Sequence, residues 1–140
     1  MSNGTFSKVE ATDERMYGPR GLIACGYPPE EHAPLTQFLE QVLGMETAVC
    51  FASEQIQEQT LKEIFALPHG TGTGTPSNLT RAMVISGCTQ RELHTLMSGY
   101  RQAGLPPQLW ATLTPISENW SLNALLAELV KESEAMNRKK

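Results

Sequence analysis

The sequence predicts an α/β fold of the three-layer, Rossmann-like kind. A four-stranded, mostly parallel sheet of order 2-1-3-4 carries helices on both faces; the alternative is a sheet with one antiparallel edge strand. Short apolar runs alternate four times with segments of helical periodicity, which favours parallel strands joined by helices. Two of these runs end alike, in a glycine, one further residue and a helix start, at Gly26 and Gly87. The 140 residues, 40% hydrophobic, fit one globular domain.

The first half of the chain contains two predicted strands and two predicted helices. Residues 21–25 form an apolar run, which indicates a buried strand. Two prolines and two glutamates follow, and these residues favour the first turn of a helix, which ends at Gly44. Residues 46–51 predict the second strand. Apolar residues at helical spacing between 61 and 65 predict the second helix, for which Ser53 is the candidate cap.

The second half repeats this order. Residues 81–86 predict the third strand. Thr89, with a glutamate three residues later, forms a capping box at the start of the third helix. Residues 109–113 predict the fourth strand, and a cap at Asn119 or Ser121 begins the last helix.

Residues 19–136 are therefore predicted to form a single α/β domain. Residues 1–18 are polar and without period, which predicts a loose N-terminal arm on which only Met16 and Tyr17 are candidates for docking. Residues 68–79 are low in complexity, which predicts a flexible Gly/Thr loop. This loop follows a helix rather than the strand that a dinucleotide-binding loop requires, which argues against phosphate binding. Residues 137–140 form a basic tail.

The chain also resembles a duplication. The two glycine turns align at an offset of 87 − 26 = 61 residues. Two further pairs match at this offset, Arg20 with Arg81 and Glu31 with Glu92. Residues 20–67 and 81–130 then form two copies of one strand-helix-strand-helix unit. Chance similarity between two short strand-helix turns is the alternative explanation.

A pseudo-twofold relation between these halves places the candidate ligand site. It puts strands 1 and 3 at the centre, and right-handed crossovers then give the order 2-1-3-4. Ligands of open α/β sheets favour the crevice at a topological switch point, which would lie between strands 1 and 3. We expect both glycine turns to flank this crevice, where two helix starts favour an anionic small molecule; glycines that serve turn sterics alone are the alternative. The candidate ligand-binding residues are Gly26, Tyr27, Gly87, Cys88, Thr89, Thr114 and Asn119.

Two thiols on these turns are the candidate catalytic residues. Cys88 follows a glycine at a helix start, which can lower the pKa of a thiol, and Cys25 lies on the neighbouring turn. His32 or His94 would supply a base. The simpler interpretation is an unreactive cysteine and two surface histidines, because no geometry fixes these groups together. No metal-ligand spacing and no cofactor motif is present, so we predict neither a metal nor a cofactor.

Charge and cysteine content limit the function further. The net charge of −4 without a basic stripe argues against nucleic-acid binding. No apolar run reaches the length of a membrane span, and an odd number of cysteines without a secretion signal predicts a cytoplasmic chain. We expect a non-enzymatic module that binds a small ligand or a partner, with homodimerisation through open sheet edges as one mode. The alternative is a small enzyme that uses a thiol or binds a phosphorylated metabolite.

Four groups of residues resemble those of a bacterial family classified only as a domain of unknown function (number thirty-seven eighty-three). The resemblance covers residues 20–130 and is strongest over 83–129, while the Gly/Thr loop and the N-terminal arm depart from it. It implies a small cytosolic α/β domain and carries over no activity, ligand or catalytic residue. The groups are Cys25-Gly26-Tyr27 with Pro29-Glu30-Glu31, Ser86-Gly87 with Glu92-Leu93, Leu113-Thr114-Pro115, and Asn119-Trp120.

Overall fold

Four strands form a single sheet in the order β2-β1-β3-β4 in the computed structural model, which describes residues 14–138. This order and the α/β class confirm the predicted fold. Each strand is formed by one of the short apolar runs. The strands are β1 (Gly21–Cys25), β2 (Ala48–Ala52), β3 (Ala82–Ser86) and β4 (Leu109–Thr112).

Helices cover both faces of the sheet. Successive side chains of a strand point to opposite faces, so Leu22 and Met83 face α1 and α3, while Ile23 and Val84 face α2 and α4. The helices are α1 (His32–Leu43), α2 (Leu61–Phe65), α3 (Gln90–Gln102) and α4 (Leu122–Arg138), with 3-10 turns at Pro29–Glu31 before α1 and at Ser117–Asn119 before α4. None of the helices within residues 14–138 is both long and apolar enough to cross a membrane.

Hydroxyl side chains begin three of the helices. Thr89 opens α3 with the predicted capping box. Thr60 opens α2 with a capping box of its own, so the prediction that Ser53 caps this helix is wrong. Ser121 caps α4 by accepting a backbone N–H bond of 3.1 Å, which leaves Asn119 in the preceding 3-10 turn.

The antiparallel pair of the sheet lies at its centre rather than at an edge. β1 pairs with β2 and β3 with β4 in parallel, whereas β1 and β3 run antiparallel. Ile23 lies opposite Val84, its equivalent at the 61-residue offset. The flanking pairs are reciprocal, with Leu22 opposite Ile85 and Ala24 opposite Met83. A pseudo-twofold axis therefore passes through the sheet between Ile23 and Val84.

The same axis relates contacts at the periphery. The Leu61 N–H donates to the Trp120 carbonyl at 2.9 Å, and the Leu122 N–H donates to the Gln59 carbonyl at 3.0 Å. The two donors, Leu61 and Leu122, are equivalent at the 61-residue offset, and so are the two acceptors, Gln59 and Trp120. The two units therefore pack on each other through equivalent contacts, as the subunits of a symmetric dimer do.

The two glycine turns are tightly packed and symmetry-equivalent. Gly26 and Gly87 have positive φ values of 77° and 68°. A Cβ on Gly87 would lie 2.6 Å from the Gly18 carbonyl oxygen and 2.7 Å from the Arg20 nitrogen, and a Cβ on Gly26 would meet the equivalent backbone of Leu79 and Arg81. Only glycine fits where the opposite half passes this close.

We expect Gly87→Ala to destabilise the fold more than Gly104→Ala. Both glycines have positive φ, which costs an alanine about 1–2 kcal/mol. A Cβ on Gly104 meets nothing within 4 Å, whereas one on Gly87 meets fixed backbone, which adds roughly 1–3 kcal/mol. Urea unfolding of both variants measures the difference; equal losses of unfolding free energy would show that the close approach at Gly87 is unimportant.

Candidate functional site

The structure separates the residues that were expected to share one crevice. Because β1 and β3 are antiparallel, Gly21 lies opposite Ser86 and Cys25 lies opposite Ala82. The turn with Gly26 and Tyr27 is therefore at one end of the sheet, and the turn with Gly87, Cys88 and Thr89 is at the other. A twofold axis that runs through the sheet reverses strand direction, so the expectation of a shared crevice is wrong. Thr114 and Asn119, which follow β4, lie at the Gly87 end.

The end of the sheet with Gly87 is covered by the described part of the N-terminal arm. The Met16 N–H donates to the Cys88 carbonyl at 2.8 Å, and the Gly87 N–H donates to the Tyr17 carbonyl at 3.1 Å. The Tyr17 hydroxyl donates to Glu118 at 2.8 Å. Residues 14–18 of the predicted loose arm thus pack on the domain, with Met16 and Tyr17 docked as the sequence suggested. Residues 1–13 lie outside the described residues, as do residues 139 and 140 of the predicted tail.

Both candidate thiols are buried. Cys88 and Cys25 are each 0% exposed. Burial, the largest cause, raises the pKa of the Cys88 thiol to about 11, even though the nearby Arg20 lowers it. Burial is also the largest cause of the raised pKa of Cys25, and the neighbouring Cys50 raises this pKa further. The two thiols lie at opposite ends of the sheet, and neither has the properties of an activated nucleophile.

The start of α3 binds a carboxylate of its own chain. Glu92 accepts the Thr89 N–H at 2.9 Å and two bonds from the Arg20 guanidinium at 2.9 and 2.7 Å. The hydrogen bond from Arg20 is the largest of the effects that lower the pKa of Glu92. This helix start therefore already holds the negative charge that an anionic ligand would bring.

The Gly26 end has the equivalent ion pair. Arg81 donates to Glu31 at 2.6 Å and to the Tyr100 hydroxyl at 3.1 Å. Its guanidinium lies 4.1 Å from the centre of the Tyr27 ring. The Tyr27 hydroxyl donates to Gln108 at 2.5 Å, and burial is the first of the causes that raise its pKa. Arg81 and Tyr27 are thus engaged in packing the two halves together.

The remaining predicted residues also have structural partners. Thr114 accepts the Ser117 N–H at 3.0 Å and begins the 3-10 turn that contains the exposed Asn119. His32, expected at the surface, is 2% exposed and stacks on Phe51 at 3.9 Å. Among residues 14–138, no group of three or more His, Cys, Asp or Glu side chains is placed to hold a metal ion.

The Gly/Thr loop that the sequence predicts to be flexible forms hydrogen-bonded turns on the outer edge of β2. The N–H groups of Thr71, Thr73 and Thr75 each donate to the carbonyl three residues before. The glycine preceding each threonine has a positive φ, which suits the third position of a type II turn. A Cβ on Gly72 would overlap the Phe51 carbonyl oxygen, so glycine also permits the close approach to β2.

Two histidines fasten this loop. The Val49 N–H donates to Nδ1 of His69 at 3.0 Å, and the Gly74 N–H donates to Nδ1 of His32 at 2.9 Å. Nε2 of His32 lies 3.0 Å from the Tyr27 carbonyl, so the imidazole fits as a neutral ring that accepts at Nδ1 and donates at Nε2. Backbone bonds from Gly70 to Val49 and from Phe51 to Thr71, both 2.8 Å, complete the cover.

The equivalent edge of β4 has no such cover within residues 14–138. The Leu109 N–H donates to the carbonyl of Arg81, directly before β3, and the Leu113 N–H donates to Ile85 of β3. Because a parallel strand alternates its hydrogen-bonding sides, the N–H groups of Trp110 and Thr112 point outward. Trp110 and Thr112 are the equivalents of Val49 and Phe51, but neither outward N–H has a partner in the described part of the chain. Every β4 residue is partly exposed, whereas β2 is almost fully buried.

Concave surface surrounds this open edge. Three clefts of about 460, 420 and 250 Å³ share Gln108 at the start of β4. Trp110 lines two of them and packs edge-on against Tyr100 at 5.4 Å. The second half of α4, which includes the 67% exposed Met136, flanks the edge of β4. The Gly/Thr turns flank the equivalent edge of β2.

The sequence predicts open sheet edges but not the difference between the two edges, although a signal for that difference was available. The internal repeat shows that α2 is followed by a loop while α4 continues as a helix, so the two halves diverge at the segment that covers β2. Glycines at alternate positions in residues 70–74 are the signal for serial turns.

Comparison with protein-family models gives a match over part of the chain. The model of a family described as "Domain of unknown function (DUF3783)" matches residues 81–136. This segment spans β3, α3, β4 and most of α4, and it contains the stretch where the resemblance was strongest, which is thereby confirmed. Residues 20–80 lie outside the match. No curated protein and no solved structure matches the chain.

We expect Cys88 to react slowly with iodoacetamide in the folded protein. The rise of its pKa from 9.0 to about 11 reduces the thiolate at neutral pH about 100-fold, and burial hinders access further. Mass spectrometry of alkylated peptides measures the rate, with the urea-unfolded chain as the control. A native rate equal to or above that of the unfolded chain would restore Cys88 as a nucleophile.

Proposed function

We propose that this protein is a non-enzymatic interaction module that binds an extended polypeptide segment along the outer edge of β4. One observation carries the proposal. The outer edges of β2 and β4 are equivalent by symmetry. The outward N–H groups of β2 are hydrogen-bonded, whereas those of β4 have no partner within residues 14–138. An added strand would supply the missing acceptors, which is how many domains recognise extended peptides.

The surroundings of β4 favour an extended segment over a small molecule. Alternate side chains of an added strand point to opposite faces of the sheet. On one face they would meet Leu105 and Trp110, and on the other Leu129 and Met136 of α4. The clefts are open to solvent, whereas a small-molecule site is usually enclosed.

The alternative functions have less support. A thiol enzyme needs an accessible nucleophile with a nearby base, yet Cys88 and Cys25 are buried and lie at opposite ends of the sheet. A phosphorylated metabolite at the glycine turns would have to displace either the Glu92 carboxylate or the backbone that crosses Gly26. Three free, buried cysteines suit a reducing compartment, so we propose that the module acts in the cytoplasm of a bacterium, the source that the family resemblance implies.

A peptide-display experiment tests the proposal. A library of random twelve-residue peptides is selected on the full chain, and binders are compared on Thr112→Pro and Thr112→Val. Proline removes only the N–H that points away from β3, so the sheet is retained at this edge position. Valine keeps that N–H and the branched side chain.

We expect selected peptides to bind Thr112→Pro at least about tenfold more weakly than Thr112→Val, since one backbone hydrogen bond contributes roughly 0.5–1.5 kcal/mol and a displaced strand loses its neighbours as well. Circular dichroism of both variants controls for folding. A selection that returns no binder, or only peptides that bind both variants equally, would contradict the proposal.

A further inference from the structure

We propose that the segment bound at β4 carries an acidic side chain, which accepts the outward N–H of Trp110 and pairs with Arg101 on the α3 face of the sheet. The partner is then an extended polypeptide with an aspartate or glutamate at one position. This inference rests on the proposed function, because it specifies the chemistry of the segment that the proposed function requires.

The covered edge of β2 shows how a side chain can complete an outer strand. The outward N–H of Val49 is accepted by a side chain, Nδ1 of His69, at 3.0 Å. The next residue of the loop, Gly70, donates its own N–H to the Val49 carbonyl at 2.8 Å. One residue of the covering segment therefore contacts the strand through its side chain, and the following residue does so through its backbone.

A charged residue of the neighbouring helix flanks this side chain. His69 and Glu40 of α1 line one cleft of about 320 Å³ beside β2. Because Nδ1 of His69 is the acceptor, the neutral ring carries its proton on Nε2. A side chain with a donor thus shares this cleft with a carboxylate, and the two suit each other.

The sign of the charge is reversed at the equivalent edge. At the 61-residue offset, Val49 corresponds to Trp110 and Glu40 corresponds to Arg101. Arg101 and Trp110 line the same cleft of about 250 Å³. A side chain that accepts the Trp110 N–H from this cleft would lie beside a guanidinium, whose N–H donors match a carboxylate. Aspartate and glutamate combine the acceptor with the negative charge.

Arg101 has no counter-charge in the part of the chain that the structure describes. Its side chain makes neither an ion pair nor a hydrogen bond within residues 14–138, whereas Arg20 and Arg81 each pair with a carboxylate. No acidic residue stands three or four positions from Arg101 on α3. Its place in the last turn of α3 favours a cation but supplies no partner for the side chain. A carboxylate of the bound segment would supply one.

The opposite face of the sheet disfavours an acidic side chain. Glu132 of α4 lines the cleft on that face, together with Leu129. Glu128, one helical turn earlier, is also acidic, and no basic residue stands three or four positions from Glu132. A carboxylate would meet like charge there, whereas it meets Arg101 on the α3 face. The charges on the two sides of β4 therefore determine which face the acidic side chain takes.

Charge reversal at Arg101 tests the inference. The library of twelve-residue peptides is selected in parallel on the unmodified chain, on Arg101→Glu and on Lys62→Glu, and only peptides whose binding depends on Thr112 are counted. Lys62 lies on α2, which packs on β1, so Lys62→Glu makes the same change of net charge away from β4. We expect an acidic residue to be enriched at one position on the unmodified chain and on Lys62→Glu, and a basic residue to replace it on Arg101→Glu.

Affinities of one peptide then separate charge from hydrogen bonding. The probe is the tightest Thr112-dependent peptide, compared with variants in which its acidic residue is replaced by the corresponding amide or by lysine. The amide keeps the acceptor and loses the charge, so we expect roughly threefold weaker binding; lysine loses both, so we expect binding at least about tenfold weaker. Arg101→Glu should reverse the order of the acidic and lysine peptides, and Lys62→Glu should not.

Thermal unfolding of each variant controls for folding. If Arg101→Glu unfolds the chain, Arg101→Gln replaces it, and the acidic and amide peptides should then bind equally. Thr112-dependent peptides without a preferred acidic residue, or with the same order of affinities on Arg101→Glu, would overturn the inference and leave the proposed function standing. A selection without any Thr112-dependent peptide would instead contradict the proposed function, and the inference with it.

Discussion

The antiparallel pairing of β1 with β3 determines the rest of the structure. Each half of the chain has only two parallel strands, too few to bury a sheet face on both sides. Pairing Ile23 against Val84 joins the halves into a four-stranded sheet and aligns the helices in two layers. The ion pairs of Arg20 with Glu92 and of Arg81 with Glu31 tie each half to the other at opposite ends of this pair.

This central pairing also sets the limits on function. It moves the two strand-to-helix turns to opposite ends, so neither turn has a neighbour with which to form a switch-point crevice. It fills the space above each turn with backbone of the opposite half, as the contacts of Gly26 and Gly87 show. What it leaves available is the pair of outer edges, which the central contact does not touch. The clearest structural difference between the halves is therefore the difference between their edges, with Val49 and Phe51 bonded and Trp110 and Thr112 open within residues 14–138.

Much of the fold could be predicted from the sequence because its signals are local or repeated. The apolar run at residues 21–25 and the capping box at Thr89 each specify one element, and the repeat of Arg20 and Arg81 specifies the strand order. The candidate site could not be predicted, because strand direction across the twofold axis depends on a contact between distant segments. The burial of Cys88, the backbone hydrogen bond of Met16 to Cys88 and the docking of the Gly/Thr turns on β2 likewise depend on tertiary contacts.

The central claim is that the outer edge of β4 binds an extended polypeptide segment, because the symmetry-related edge of β2 already has its outward N–H groups bonded. A crystal structure of the chain with a selected peptide is its most direct test. The account predicts that the peptide backbone lies along β4 within hydrogen-bonding distance of Trp110 and Thr112 and extends the sheet. A structure in which the peptide lies elsewhere and leaves the edge of β4 unpaired would contradict it.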